Sequence, residues 1–178
     1  MKNNRNMFLI LTMLMVSISV QAQNIYSTQN GMMEMDFAND TYRSKDLMML
    51  LDYDAATYKL EIDLTTLTNS EGKNFSEFVK IPNKKLVIEG KLGVEFINTT
   101  NHPPQSFNLE GIVVSSNNEV RGTGKLEHLS NRGTFSCILT IRIKIGLDDL
   151  GFESTDVNKE ERISIKIVQV VLNRIEDQ

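Results

Sequence analysis

The sequence holds a single cysteine, Cys137, and only two histidines, His102 and His128. One cysteine leaves no internal disulfide framework. Two histidines with no His-x-His or Cys-x-x-Cys spacing give no metal-site signature, and no cofactor is expected. Basic clusters are scarce too, none exceeding the pair Lys84-Lys85. A Gly-x-Ser-x-Gly elbow is absent. So is a phosphate-cradling loop, because "GTGK" (Gly122 to Lys125) lacks both the glycine spacing and a following helix. These absences leave no catalytic constellation and argue against enzymatic function.

The N-terminus carries a targeting pattern. Lys2 and Arg5 precede an apolar stretch from Met7 to Val16, and Val20-Gln21-Ala22 resembles a small-x-small cleavage site. This is the layout of a secretory signal peptide. The apolar run is short for a membrane span, so the mature chain is expected to have none. Cleavage is expected after Ala22, giving a leader over 1–22 and one domain over 23–178, secreted or periplasmic. No cysteine lies near the cut to carry a lipid anchor. All 23 acidic residues fall in the mature part, against the 17 basic residues left when Lys2 and Arg5 are removed, a net charge of about −6. That balance argues against a nucleic-acid partner.

What the chain does have is period-two alternation, the strand signal. Tyr58, Leu60, Ile62 and Leu64 oppose Lys59, Glu61 and Asp63. In "LVIEGKLGVEFI" (Leu86 to Ile97), Leu86, Ile88, Leu92, Val94 and Phe96 share a face with Gly90. From Phe135 to Ile145 the inward set is Phe135, Cys137, Leu139, Ile141, Ile143 and Ile145. One dry face and one wet face suit antiparallel sheets. Further strands are expected over 32–38, 46–53, 106–115, 119–129 and 161–173, with "FANDTYRSKD" and "HLSNRGT" among the separators. Eight strands without a long helix predict an all-β, eight-stranded antiparallel barrel, which removes its own edges.

Two segments stand apart. Asn69 to Lys85 does not alternate, and Phe75, Phe78 and Val79 have one-turn helical spacing before Pro82. A short helical or Ω-like excursion is expected there, packing its aromatics against the barrel mouth. The last strand reads as apolar on both faces: Ile163, Ile165, Ile167 and Val171 on one, Val168, Val170 and Leu172 on the other. A strand of that kind is covered on both sides or lies at an interface, so a homodimer is a possible partner arrangement.

The order "GKLEHLSNRGTF", "SCILTIRIKI", "GLDDLGF", "ERISIKIVQVVL", preceded by "NFSEFVKIPNKKLVIEGKL", resembles the YceI-like family of secreted or periplasmic barrels. The resemblance runs over residues 30 to 173. It implies a lipocalin-like barrel that binds a long apolar molecule, a lipid or polyisoprenoid-like chain. Its expected lining is the inward set Leu60, Ile62, Ile88, Leu92, Val94, Leu139, Ile141, Ile143, Ile165 and Ile167. An eight-stranded barrel either holds one small ligand or is filled by its own side chains, so a scaffold with a filled interior stands as the alternative. Met32, Met33, Met35, Met48 and Met49 suit an adaptable pocket and an irregular core alike. Glycines inside strand patterns are taken as bends, and Cys137 as a buried hydrophobe.

Overall fold

The computed structural model describes residues 24–77, 84–94, 104–131, 134–147 and 162–175. Eight strands occupy Ile25–Phe37 (β1), Asp40–Asp52 (β2), Thr57–Asp63 (β3), Lys85–Leu92 (β4), Gln105–Val113 (β5), Glu119–Asn131 (β6), Thr134–Gly146 (β7) and Arg162–Arg174 (β8). Each pairs antiparallel with its neighbour in sequence, and β8 pairs with β1, closing the barrel. The proposed leader over 1–22 and the "GLDDLGF" turn beyond Leu147 lie outside the described residues.

Alternation builds the core. Tyr58, Leu60 and Ile62 on β3, Leu86, Ile88 and Leu92 on β4, and Cys137 through Ile145 at every second position on β7 are buried, as the pattern requires. Most of their outward neighbours are polar or charged, and Lys59–Glu89 and Lys85–Glu61 pair across β3 and β4.

The first two strands begin earlier than expected, at Ile25 rather than 32 and at Asp40 rather than 46. "FANDTYRSKD" is therefore mostly strand. Its turn is only Ala38-Asn39, both at positive φ (48° and 65°), the backbone of a tight two-residue hairpin. The polar run hides a strand because Arg43 and Lys45 face out while Tyr42 and Ser44 face in. Register shifts on either side of Gly31 then change the phase, so that Tyr26 and Gly31 on β1, and Ser44 and Leu47 on β2, all face inward despite their odd spacing. β6 also extends past 129, to Asn131. β4 stops at Leu92, where Gly93 donates its N–H to the Asn108 carbonyl (2.7 Å). Glu95 to Ile97, expected to continue it, lie outside the described residues.

The last strand corrects the two-faced reading. Opposite the two-residue step from Leu139 to Ile141 on β7, β8 takes three, from Val170 to Ile167. This β-bulge around Val168-Gln169 inserts one residue and swaps the two faces. Ile163, Ile165 and Ile167 are buried before it, and Val170 and Leu172 after it. Val168 and Val171 are about half exposed (47% and 45%). β8 therefore has one buried face throughout, read in two phases.

Glycines mark the tightest approaches. A Cβ on Gly90 would lie 2.0 Å from the Glu110 carbonyl oxygen, and one on Gly111 would lie 2.5 Å from the Tyr58 hydroxyl. Gly90 and Gly111 are cross-strand partners beside Tyr58, whose ring fills the space they leave. The glycines make room for this ring and for close approach of the backbone, one of the uses of glycine inside a strand.

Candidate functional site

The expected lining residues come together on two opposite walls. Leu60 faces Ile88 across β3 and β4, and Ile141 and Ile143 face Ile167 and Ile165 across β7 and β8. Leu60, Ile62, Ile88, Leu139, Ile141, Ile143, Ile165 and Ile167 have 0% exposure, and Leu92 has 3%. Val94 sits past the end of β4, half-buried against the rim of the core. A side chain with no accessible surface touches no space that a water molecule could enter, open or sealed. At those eight positions the interior is close-packed. Met33, Met35 and Met49 are part of the same core, whereas Met32 is 49% exposed.

Each end of the barrel has its own aromatic closure. At the end that carries the β1–β2 turn, the chain after β3 makes two single turns of 3-10 helix, Leu64–Thr66 and Phe75–Glu77. Asp63 caps the first turn, accepting from the N–H and hydroxyl of Thr65, and these bonds hold its carboxyl below the usual carboxylate range. Thr68 bridges to Arg43 and to Asn74, which seats Phe75 edge-on against Phe37 (5.5 Å) and Tyr42 (5.2 Å). Phe75 is fully buried. The expected excursion is present and its first aromatic plugs the mouth; Phe78 and Val79 lie outside the described residues.

At the opposite end Tyr26 and Tyr53 stack (centroids 4.0 Å apart, planes 20° apart). Tyr53 also meets His128 edge-on at 5.5 Å. His128 on β6 is the direct cross-strand partner of Cys137 on β7. Tyr53 and Cys137 are both fully buried, and the Tyr53 hydroxyl has no hydrogen-bond partner among the described residues. Leaving such a group unsatisfied costs about 1–3 kcal/mol. Burial is the main reason the Tyr53 hydroxyl is held far above the ordinary tyrosine value, with the neighbouring Cys137 adding to it. Burial likewise pushes the Cys137 thiol up to about 11. The thiol is protonated and shielded, as expected of a buried hydrophobe.

Sequence reading missed this cluster. The other histidine, His102, lies outside the described residues. The Cys137–His128 pairing follows from the β6–β7 register, and nothing local in the sequence fixes that register. The paired acids Asp52 and Asp54 have structural work: Asp52 accepts from the N–H of Asp54 and of Ala55, and Asp54 accepts from the Asn24 side-chain amide. Among the described residues no group of three or more His, Cys, Asp or Glu side chains converges.

The outer wall carries shallow grooves beside Gly90, Gly93 and Gly124. One of about 490 Å³ is lined by Ile25, Leu50, Tyr58, Lys59, Glu89 and Ile112, among others. Another of about 560 Å³ has a polar margin that includes Asn108, Thr123, Thr140 and Arg142. A separate apolar strip runs along the β1–β8 seam, where Met32 and Val168 are the residues next to the paired Met33 and Ile167.

This geometry defines a closed, eight-stranded, up-and-down antiparallel barrel of lipocalin-like form. Comparison of the chain with protein-family models, curated proteins and solved structures finds no match. No helix among the described residues is long and apolar enough to cross a membrane.

Proposed function

We propose that the protein is an exported, non-enzymatic barrel of YceI-like character that acts as an interaction scaffold of the cell envelope through its outer wall. The observation that carries this reading is the interior: eight of the ten positions expected to line a ligand tunnel have no accessible surface. The seam strip of Met32, Val168 and Val171 supplies an apolar contact surface, and a second copy of the chain is the partner it suits. The aliphatic core, and the lack of a converging polar site among the described residues, favour binding over chemistry.

A second reading follows the resemblance more closely: an apolar chain, lipid or polyisoprenoid-like, enters by displacing interior side chains. Met33, Met35 and Met49 favour it, because thioether side chains repack readily. Native mass spectrometry of the protein, taken from an envelope extract without detergent, separates the two. A dimeric mass without adduct supports the scaffold. A stoichiometric adduct that extracts as an apolar chain overturns it in favour of the carrier.

A further inference from the structure

The cluster at the Tyr26–Tyr53 end goes beyond either reading. We propose that Cys137 and His128 together bind one soft, low-coordinate cation of the copper(I) class, with the Tyr53 hydroxyl donating a hydrogen bond to the coordinated sulfur. The two ligands are directly opposed in the β6–β7 ladder, so they share the inner face. Opposed residues hold their Cβ atoms about 4.5–5.5 Å apart. A bridging ion needs its sulfur and nitrogen ligands within about 4.4 Å of each other, given bonds of about 2.3 and 2.1 Å. Side-chain rotation at that Cβ spacing reaches this separation.

Packing selects what can enter. No water-sized space touches Tyr53 or Cys137, so an organic molecule has no room. A bare ion that takes the place of the thiol proton needs almost none. Donor count selects the metal. Zinc takes four ligands in a closed site, and among the described residues no three His, Cys, Asp or Glu side chains converge. A thiolate with one imidazole suits a soft monovalent ion that accepts two ligands. On binding, the cation sheds its water, the thiol proton leaves to solvent, a metal–sulfur bond forms, and no oxidation state changes. The thiolate then gives the buried Tyr53 hydroxyl the acceptor it lacks in the metal-free protein.

The full-length chain, expressed with its own leader and purified under anaerobic, reducing conditions, is titrated with copper(I) against a chromophoric chelator. Silver(I) serves as the redox-inert probe and zinc(II) as the control. One equivalent of copper(I) or silver(I) is expected, with no comparable zinc site. Because binding displaces the thiol proton, affinity should fall as pH falls. Cys137→Ala should abolish the site, and His128→Gln should weaken it at least tenfold. Tyr53→Phe should weaken it several-fold at unchanged stoichiometry. X-ray absorption on the unmodified protein guards against variants that misfold, and sulfur and nitrogen should appear in the metal's shell. No binding, binding that survives Cys137→Ala, or a shell without sulfur would each overturn the assignment.

Discussion

Lys166 on β8 reaches diagonally across the closing seam of the barrel to the carboxylate of Asp36 on β1. Its direct partner in the ladder is Glu34, but Glu34 is taken by Arg43 of β2 at 2.9 Å. Two ion pairs thus tie three adjacent strands together on the outer wall. The Lys166 hydrogen bond is the main reason that Asp36 is held below its ordinary carboxylate value, and Thr41 adds a second bond at 2.9 Å.

A depressed folded-state value fixes the sign of the pH effect. The stabilisation from Asp36 is fully present above the unfolded carboxyl value of about 3.9 and is lost as pH falls through the lower folded value. Both side chains are about one-third exposed, so solvent screening keeps the effect small, about 0.5–1 kcal/mol. Asp36→Asn should lower the unfolding free energy, read from urea denaturation, by that amount at pH 7 and by much less near pH 3. An equal loss at both pH values would assign the effect to packing instead of charge.

The bulge in β8 separates neighbouring valines. Val170 is buried and Val171 is 45% exposed, although plain alternation from Ile163 predicts the reverse. Val170→Ala should cost about 1–3 kcal/mol and Val171→Ala less than about 0.5 kcal/mol. Chemical denaturation of the two variants side by side tests the phase change, and a reversed order would place the bulge elsewhere.

Phe75 is the single aromatic that the excursion after β3 delivers to the plugged mouth among the described residues. Truncating it removes a fully buried ring and two edge-to-face contacts. Phe75→Ala should cost about 3–5 kcal/mol. Hydrogen exchange should show the largest loss of protection around Phe37, Tyr42 and Leu67. Uniform loss across all strands would mean that the excursion is not a separately opening unit.

The close packing at Gly90 and Gly111 leaves no room for a methyl group. Gly111→Ala should cost about 1–3 kcal/mol through overpacking. Because the side-chain clash there is with the Tyr58 hydroxyl, adding Tyr58→Phe should recover part of that loss. The Glu89 carbonyl oxygen, 2.7 Å from the same Cβ position, sets the part that remains. A double variant no better than the single would put the whole clash on the backbone. Thermal unfolding of the three variants gives the answer.

The sequence patterns made some elements legible and hid others for physical reasons. β3, β4 and β7 were readable because apolar residues recur on one face against a largely polar other face, as at Leu60 and Lys59 or Ile141 and Arg142. The start of β2 was not, because Thr41, Arg43 and Lys45 face solvent beside a two-residue turn and look like a loop. Bulges were the other blind spot. At Val168-Gln169 and around Gly31 the inner face changes phase, and a strict period of two assigns the residues beyond to the wrong side. The candidate lining was legible as an inward set, since nine of its ten residues are buried. The Tyr53–His128–Cys137 cluster draws on two strands and the turn after β2 and depends on hairpin register, which composition does not encode.

The closing seam also has a temporal meaning. Every other strand pair in the barrel joins consecutive strands, but β1 must wait for β8, so the first strand made is the last to be completed. Until β8 is in place, β1 offers a bare edge on one side, and the incomplete sheet is a template for joining another chain. Loss of β8 would leave that edge open permanently. The C-terminal strand is thus the step that turns an adhesive sheet into an inert one, and damage there should show first as clumping during biogenesis.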